Sequence, residues 1–217
     1  MPVFPATGGM ETSHHSKGDT MTPLPQLQLA AQYHIDLRKI TEPDTVFLQR
    51  LYRSTREQEL LQVPWSEAEK QAFCQMQFDA QHCHYQTHYP DAQWLLIEQQ
   101  GRPIGRLYLE RWPKEHRIID IALIPEARRQ GIGAALLRDL QSAAATDGSR
   151  GIGIHVEKAN PAMALYHRLG FATVEDKGVY DLLFWQPADA RRPASVQTKT
   201  GQTETGKTAS NLIAPVC

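Results

Sequence analysis

The stretch PEARRQGIGAALL (residues 125–137) places two arginines and a glutamine before a Gly-Ile-Gly triplet, and an apolar run follows. The preceding residues 117–124 are apolar enough for a strand, and the spacing of apolar residues predicts a helix over 131–146. The first N–H groups of a helix lack intrahelical partners and carry partial positive charge. Glycine lets an anion approach that backbone, and the arginines add charged donors. The stretch therefore predicts a phosphate-binding site.

Two common phosphate-binding loops do not fit this stretch. A nucleoside triphosphate loop ends in Gly-Lys followed by Ser or Thr, and no such pair follows these glycines. A dinucleotide-binding loop needs a third glycine, and Leu136 occupies that position. The phosphate must therefore belong to another kind of ligand.

The rest of the chain alternates between strand and helix patterns. Strands are predicted at residues 33–40, 93–99, 103–111, 117–124, 151–157, 171–177 and 179–185. Helices are predicted at residues 42–60, 66–86, 131–146 and 160–170. Ser66 and Glu69 form a capping box for the second helix, and Asn160 and Pro161 are predicted to start the fourth. The order β-α-α-β-β-β-α-β-α-β-β predicts a mixed α/β domain.

Two segments together resemble the GNAT acyltransferase superfamily. RRQGIG (residues 128–133) matches the pattern [R/Q]-x-x-G-x-[G/A], and NPAMALYHRLGF (residues 160–171) is similar to the second motif of that family. The resemblance covers residues 33–186. It implies a GNAT-like mixed α/β fold, with a twisted mixed sheet of six to seven strands flanked by about four helices.

The resemblance implies acetyl-CoA as the co-substrate and assigns residues to it. The pyrophosphate would be surrounded by the backbone N–H groups of Arg129, Gln130, Gly131, Ile132, Gly133 and Ala134. The Arg128 side chain would support this contact. The strand before the loop would pair with the pantetheine arm through the backbone at Ile121, Ala122 and Leu123. Asn160 would contact the same arm or cap its own helix.

Acylation of an amine by a thioester requires a proton donor for the leaving sulfur and an acceptor for the amine proton. The resemblance places Tyr166 near the sulfur, where a phenol can donate. The sequence does not decide which residue accepts the amine proton. Asp120 lies between isoleucines, where burial would raise its pKa, and His155 has a suitable ordinary pKa. Glu110, Glu157 and a water relay are further alternatives.

The second predicted helix carries the candidates for contact with the acceptor. By resemblance, this helix and the loop before it line the acceptor pocket. The aromatic candidates are Trp65 in the loop, Phe73 and Tyr85 in the helix, and Tyr89 just after it, of which Phe73 fits core packing better. The same helix contains His82, Cys83, His84 and His88, but no second ligand cluster at a recognised spacing accompanies them, so no metal site is predicted.

The formal net charge of −1 gives no overall attraction to nucleic acid or to an anionic membrane. Three cysteines make no disulfide framework and fit the cytoplasm. Residues 1–32 are predicted to form a flexible leader, residues 33–186 the acetyltransferase domain, and residues 187–217 a disordered tail.

These features predict an N-acetyltransferase that uses a ternary complex, because no cysteine occupies a motif position that would support a covalent intermediate. The acceptor would be a small-molecule amine or a peptide. Two alternatives stay open: a non-catalytic acyl-CoA-binding or regulatory module, and an acetyltransferase for protein N-termini or lysines. The family often dimerises, so a homodimer is a further expectation from the resemblance.

Overall fold

A computed structural model describes residues 23–112 and 114–188. Its seven strands are β1 Ile35–Lys39, β2 Gln93–Gln99, β3 Arg102–Arg111, β4 His116–Leu123, β5 Ile152–Glu157, β6 Ala172–Lys177 and β7 Tyr180–Trp185. Its four α-helices are α1 Thr45–Leu60, α2 Glu67–His88, α3 Ile132–Thr146 and α4 Met163–Arg168. Short 3-10 helices are formed by Ala30–Tyr33, Glu42–Asp44 and Pro125–Ala127. The predicted element order and the mixed α/β class are confirmed.

All seven strands belong to one open sheet in the order β1-β2-β3-β4-β5-β7-β6. β4 and β5 run parallel, and every other neighbouring pair runs antiparallel. A parallel neighbour needs a crossover connection, which α3 supplies between β4 and β5. The sheet is therefore mixed at the place where the sequence predicts the phosphate site.

Helices cover both faces of the sheet. Leu95 and Leu96 are neighbours on β2 and both are fully buried, because successive side chains of a strand point to opposite faces. Leu95 joins the core beneath α3 and α4, whereas Leu96 joins a second core beneath α1 and α2. Burial on both faces fixes the register of the central strands.

Local signals mostly set the element ends as predicted. The Ser66 hydroxyl accepts from the Glu69 N–H, and the Glu69 carboxylate accepts from the Ser66 N–H, so the capping box is confirmed. The fourth helix, however, begins at Met163 rather than at Asn160 and Pro161. Asn160 instead closes a turn before the helix, with its side-chain oxygen accepting from the Ala162 N–H at 2.8 Å.

The described end of the predicted leader contacts the domain. Ala30 is fully buried in the core beneath α3. The Asp139 carboxylate of α3 accepts hydrogen bonds from the backbone N–H groups of Leu29 and Ala30 at 2.9–3.1 Å. β1 consequently begins at Ile35, after the 3-10 helix, rather than at Tyr33. The remainder of the leader and nearly all of the predicted tail lie outside the described residues.

Candidate active site

An interstrand gap opens where β4 and β5 separate. The two strands pair over three positions, His116–Ile118 with Ile152–Ile154, while β5 stays paired with β7 as far as Glu157. A bulge marks the separation, because Ile119 has no partner opposite it on β3. Residues 119–123 of β4 thus have a partner strand on one edge only.

Backbone polar groups of β4 point into this gap. The Ile124 N–H donates to the Ile104 carbonyl at 2.8 Å, on the β3 side. Since the amides of successive strand residues point to opposite edges, those of Ile121 and Leu123 point away from β3. The Leu123 carbonyl accepts from Arg128 Nε at 2.8 Å. The remaining groups form an unpaired edge inside the sheet.

The loop at the end of β4 exposes a run of N–H donors. Among the described residues, the backbone N–H groups of residues 129–134 have no hydrogen-bond partner. Arg129 adopts a left-handed conformation with φ 56°, unusual for a residue with a side chain. This arrangement presents donors and the positive end of the α3 dipole at one point, as an anion site requires.

The two glycines of the loop have different surroundings. Gly131 precedes the first helical residue with φ 89°, and a Cβ placed on it would lie 2.8 Å from the Tyr33 hydroxyl. Gly133 lies inside the first turn of α3, where a Cβ would meet Leu165 and Leu123 at 3.8 and 4.0 Å, which are ordinary contact distances. Conformation therefore requires glycine at residue 131, whereas residue 133 has room for a methyl group.

Tyr166 of α4 is buried, with 5% of its surface exposed, and its ring meets Phe171 edge to face at 5.6 Å. Burial raises the pKa of the Tyr166 phenol, and the nearby negative charge of Asp120 raises it further. The phenol therefore stays protonated at neutral pH and can act only as a donor of its proton.

Asp120 is the partner of a buried arginine. Its Oδ2 accepts from Arg106 Nη2 at 2.6 Å, and Arg106 is 3% exposed. Burial lowers the pKa of Arg106, but the Asp120 carboxylate outweighs this and the net pKa is raised. Arg106 also donates to Gln81 of α2 at 3.0 Å and lies over the Tyr108 ring. Oδ1 of Asp120 has no hydrogen-bond partner in the described part of the chain.

His155 of β5 lies in a less suitable environment for accepting a proton. Its Nδ1 is 3.3 Å from Arg117 Nη1, and its Nε2 is buried without a partner in the described ranges. Burial, together with the positive charges of Arg117 and Lys177, lowers the pKa of His155 to about 4. A histidine with so low a pKa accepts a proton poorly at neutral pH.

Glu110 and Glu157 lie at opposite ends of the region. Glu110 is buried opposite Arg117, where the strands are still joined, and burial raises its pKa. Glu157 ends β5 opposite Tyr180, at the open end of the gap. Asp120 lies close enough to Tyr166 for its charge to raise the pKa of that phenol. Neither Glu110 nor Glu157 has such an effect on Tyr166.

The predicted acceptor contacts fall into two groups. Trp65 and Phe73 meet edge to face at 5.2 Å at the corner between α1 and α2, and Trp65 is 40% exposed. Tyr85 lies nearer the sheet, with its ring 6.1 Å from that of Tyr108 and 6.3 Å from that of Tyr89. Burial raises the pKa of Tyr85, and the charge of Asp120 adds to this effect.

The histidines of α2 take part in ring contacts and hydrogen bonds. His82 stacks on Phe78, and the His88 ring lies 4.0 Å from that of His84. Within residues 23–112 and 114–188, no three His, Cys, Asp or Glu side chains are grouped as metal ligands. In the same ranges, every helix is too short or too polar to cross a bilayer.

Two features near the site did not emerge from the sequence pattern. Arg106 stands in the predicted strand PIGRLYLER, where a charge flanked by apolar residues was the available signal of a buried ion pair. Tyr33 was assigned to a strand end, and nothing local indicates that its ring reaches Gly131, nearly one hundred residues later.

Comparison with known proteins agrees with this architecture. The acetyltransferase (GNAT) family matches residues 48–171, more than half of the chain. A PaiA N-acetyltransferase from Thermoplasma acidophilum, solved in complex with coenzyme A, is 18% identical with a TM-score of 0.55, over 70% of this chain and 99% of that one. An acetyltransferase from Thermus thermophilus is 21% identical with a TM-score of 0.50, over 69% and 94% of the two chains.

At these identities, the solved structures establish the fold alone. A sequence search of curated proteins found no match. The family match covers β4, the loop, α3 and α4 together. The chain therefore belongs to the acetyltransferase (GNAT) family, whose enzymes use acetyl-CoA as co-substrate.

Proposed function

We propose that this protein transfers an acetyl group from acetyl-CoA to a primary amine by direct attack within a ternary complex. The observation that supports this most strongly is the run of unpartnered N–H groups at residues 129–134 beside the interstrand gap. The run suits a pyrophosphate, and the gap suits an extended amide-containing chain. Acetyl-CoA contains both parts in series.

The donor would be held mainly by backbone. Residues 129–134, comprising Arg129, Gln130, Gly131, Ile132, Gly133 and Ala134, would donate to the pyrophosphate oxygens. The arm would lie along Ile121, Ala122 and Leu123 as an added strand does, pairing with the outward backbone groups of Ile121 and Leu123. Arg128 bonds the Leu123 carbonyl and approaches Ser54 Oγ at 3.3 Å, so its support is partly structural. Asn160 already caps a turn, and its amide nitrogen stays available to the arm.

In the proposed reaction, the neutral amine nitrogen attacks the thioester carbonyl carbon. A C–N bond forms, the C–S bond breaks, and the sulfur leaves as a thiolate that takes the Tyr166 proton. Tyr166 holds a proton when the reaction begins, because burial raises the pKa of its phenol, and that proton is available to the thiolate that develops beside it. Water returns a proton to the phenolate afterwards.

We assign acceptance of the amine proton to Asp120 or to a water bound to it. Its Oδ1 is free in the described structure, while Arg106 holds Oδ2 in a fixed direction. Of the two catalytic candidates we favour Asp120 over His155, because a pKa of about 4 makes His155 a poor base and Arg117 lies 3.3 Å from its Nδ1. Glu110 and Glu157 lie farther along the strands.

A covalent acetyl-enzyme is not part of the proposal. Cys74 is buried in the core between α1 and α2, and burial raises the pKa of its thiol, which disfavours the nucleophilic thiolate. Cys83 lies on α2. These positions support direct transfer over a ping-pong route.

The acceptor would enter on the face covered by α1 and α2. Tyr85, on whose phenol the charge of Asp120 acts, is the proposed contact, together with Tyr89 next to it. Trp65 and Phe73 lie towards the other end of α2 and are not brought beside Asp120. An aromatic wall next to a carboxylate suits a small cationic amine, and a peptide amine is the alternative. We further propose that the enzyme is cytoplasmic. We also propose that it forms a homodimer, which light scattering would test.

Calorimetric titration of the full chain with acetyl-CoA, beside NAD and ATP, tests the donor. We expect binding of acetyl-CoA alone. An amine panel with thiol detection then tests transfer, using Tyr166→Phe as the control. Binding without turnover of any small amine or peptide amine would favour a non-catalytic acyl-CoA-binding module. A folded protein that does not bind acetyl-CoA would refute the proposed function.

A further inference from the structure

We propose that Tyr33 is an additional donor-binding residue, whose hydroxyl hydrogen-bonds the pyrophosphate held at the start of α3. The inference rests on the proposed function, since it names a contact to the same ligand. It concerns a side chain from outside the segment matched by the family, which begins at residue 48.

The Tyr33 hydroxyl lies at the loop itself. A Cβ built on Gly131 would stand 2.8 Å from the hydroxyl oxygen and 3.3 Å from the ring carbon that carries it. The side chain therefore covers the Cα of the glycine whose N–H belongs to the unpartnered run. Tyr33 is 39% exposed, and its hydroxyl has no hydrogen-bond partner among the described residues. The unpartnered Tyr33 hydroxyl thus lies beside the unpartnered backbone N–H groups of residues 129–134.

Three anchors hold Tyr33 in this place. Asp139, which is 4% exposed, accepts from the N–H groups of Leu29 and Ala30 and fixes the 3-10 helix Ala30–Tyr33 across α3. Gln99 Nε2 donates to the Tyr33 carbonyl at 3.1 Å. The ring packs on Gly131. Because the backbone already holds the ring beside Gly131, less conformational freedom is lost when the ligand binds, which strengthens the contact.

The chemistry of this contact suits phosphate rather than the acyl arm. A phenol is a neutral donor that adds to backbone N–H groups without neutralising the anion, and a hydrogen bond to a charged oxygen is stronger than one to a neutral oxygen. The acyl arm would enter the gap between β4 and β5, on the other side of the first turn of α3, where Gly133 faces Leu123 and Leu165. Tyr33 would therefore bind the pyrophosphate end of the donor.

The test compares two donors with the full-length protein. The dissociation constants of acetyl-CoA and of S-acetylpantetheine, which lacks the pyrophosphate, are measured calorimetrically for wild type and Tyr33→Phe. We expect the substitution to weaken acetyl-CoA binding about tenfold, as loss of one hydrogen bond to a charged group does. Binding of S-acetylpantetheine should not change. Tyr180→Phe on β7 is the matched control and should bind both donors as wild type does.

Two results would overturn the inference while the wild type still binds acetyl-CoA. One is an unchanged acetyl-CoA dissociation constant in Tyr33→Phe. The other is an equal loss for both donors, which would mean that the hydroxyl only supports the local structure. A wild type that binds no acetyl-CoA would instead refute the proposed function, so the two failures are distinguishable.

Discussion

Replacing Gly131 or Gly133 with alanine should change the free energy of unfolding in opposite directions, although the two glycines look alike in the sequence. Gly131 has φ 89°, a conformation that costs a residue with a Cβ about 1–2 kcal/mol. The added methyl group would also meet the Tyr33 hydroxyl at 2.8 Å, although that ring is partly exposed and can move aside. We expect Gly131→Ala to lower the free energy of unfolding by about 1–2 kcal/mol.

Gly133→Ala should have the opposite sign. Its methyl group would meet Leu165 and Leu123 at 3.8 and 4.0 Å, so nothing has to move. Alanine is favoured over glycine within a helix by about 0.5–1 kcal/mol, and the first turn retains part of that gain. The two single variants should thus differ by about 2 kcal/mol in unfolding free energy.

Urea unfolding followed by tryptophan fluorescence, without ligand, measures this difference. With a typical slope of about 1–3 kcal/mol per molar urea, the two midpoints should lie about 1 M apart at an unchanged slope. Acetyl-CoA titration should then show binding retained in Gly133→Ala and weakened in Gly131→Ala. Equal midpoints, or a more stable Gly131→Ala, would refute the assignment of strain to that residue.

Three further predictions concern the chemistry beside the gap. Tyr166→Phe should lower kcat by about a hundredfold or more with an acetyl-CoA dissociation constant near wild type, as measured by steady-state kinetics and calorimetry; equal kcat values would remove the proposed acid. His155 has a pKa of about 4 when folded, below its ordinary 6.5, so the unfolded chain binds more protons in that window. The contribution of His155 to the stability of the wild type should therefore be fully present above pH 6.5 and be lost as the pH falls towards 4. The urea midpoint of His155→Gln should fall less over that range than the wild-type midpoint. Parallel pH curves for the two proteins would contradict this. Arg106→Met should lower the unfolding free energy by about 3 kcal/mol by leaving the partly buried Asp120 carboxylate unpaired, and adding Asp120→Asn should restore part of it; a double-mutant cycle showing simple additivity would count against the ion pair.

Local patterns predicted the fold well because each element carries its own signal. The Ser66 capping box, the apolar spacing of α3 and the turn between β2 and β3 each depend on residues close together in the chain. Family resemblance then proposed the loop and Tyr166 as site residues from two short motifs. The start of α4 was misplaced because Asn160 and Pro161 favour a helix start and a turn equally well.

The contacts around the site were not predictable in the same way. Asp120 was expected to be a buried carboxylate between isoleucines, and its pairing with Arg106 depends on how β3 and β4 align around the bulge at Ile119. The Asp139 contact with Leu29 and Ala30 spans about 110 residues of sequence. Partners of this kind are set by tertiary packing, which no short pattern encodes.

The three-position joint between β4 and β5 has a mechanical consequence. The sheet consists of two parts, β1–β4 and β5–β7, joined by three residue pairs next to the proposed site. An acyl donor lying along β4 would supply rungs that the chain itself omits, so the protein would reach its full rigidity only when loaded. Product departure would then remove those added pairs and loosen the joint between β4 and β5 again.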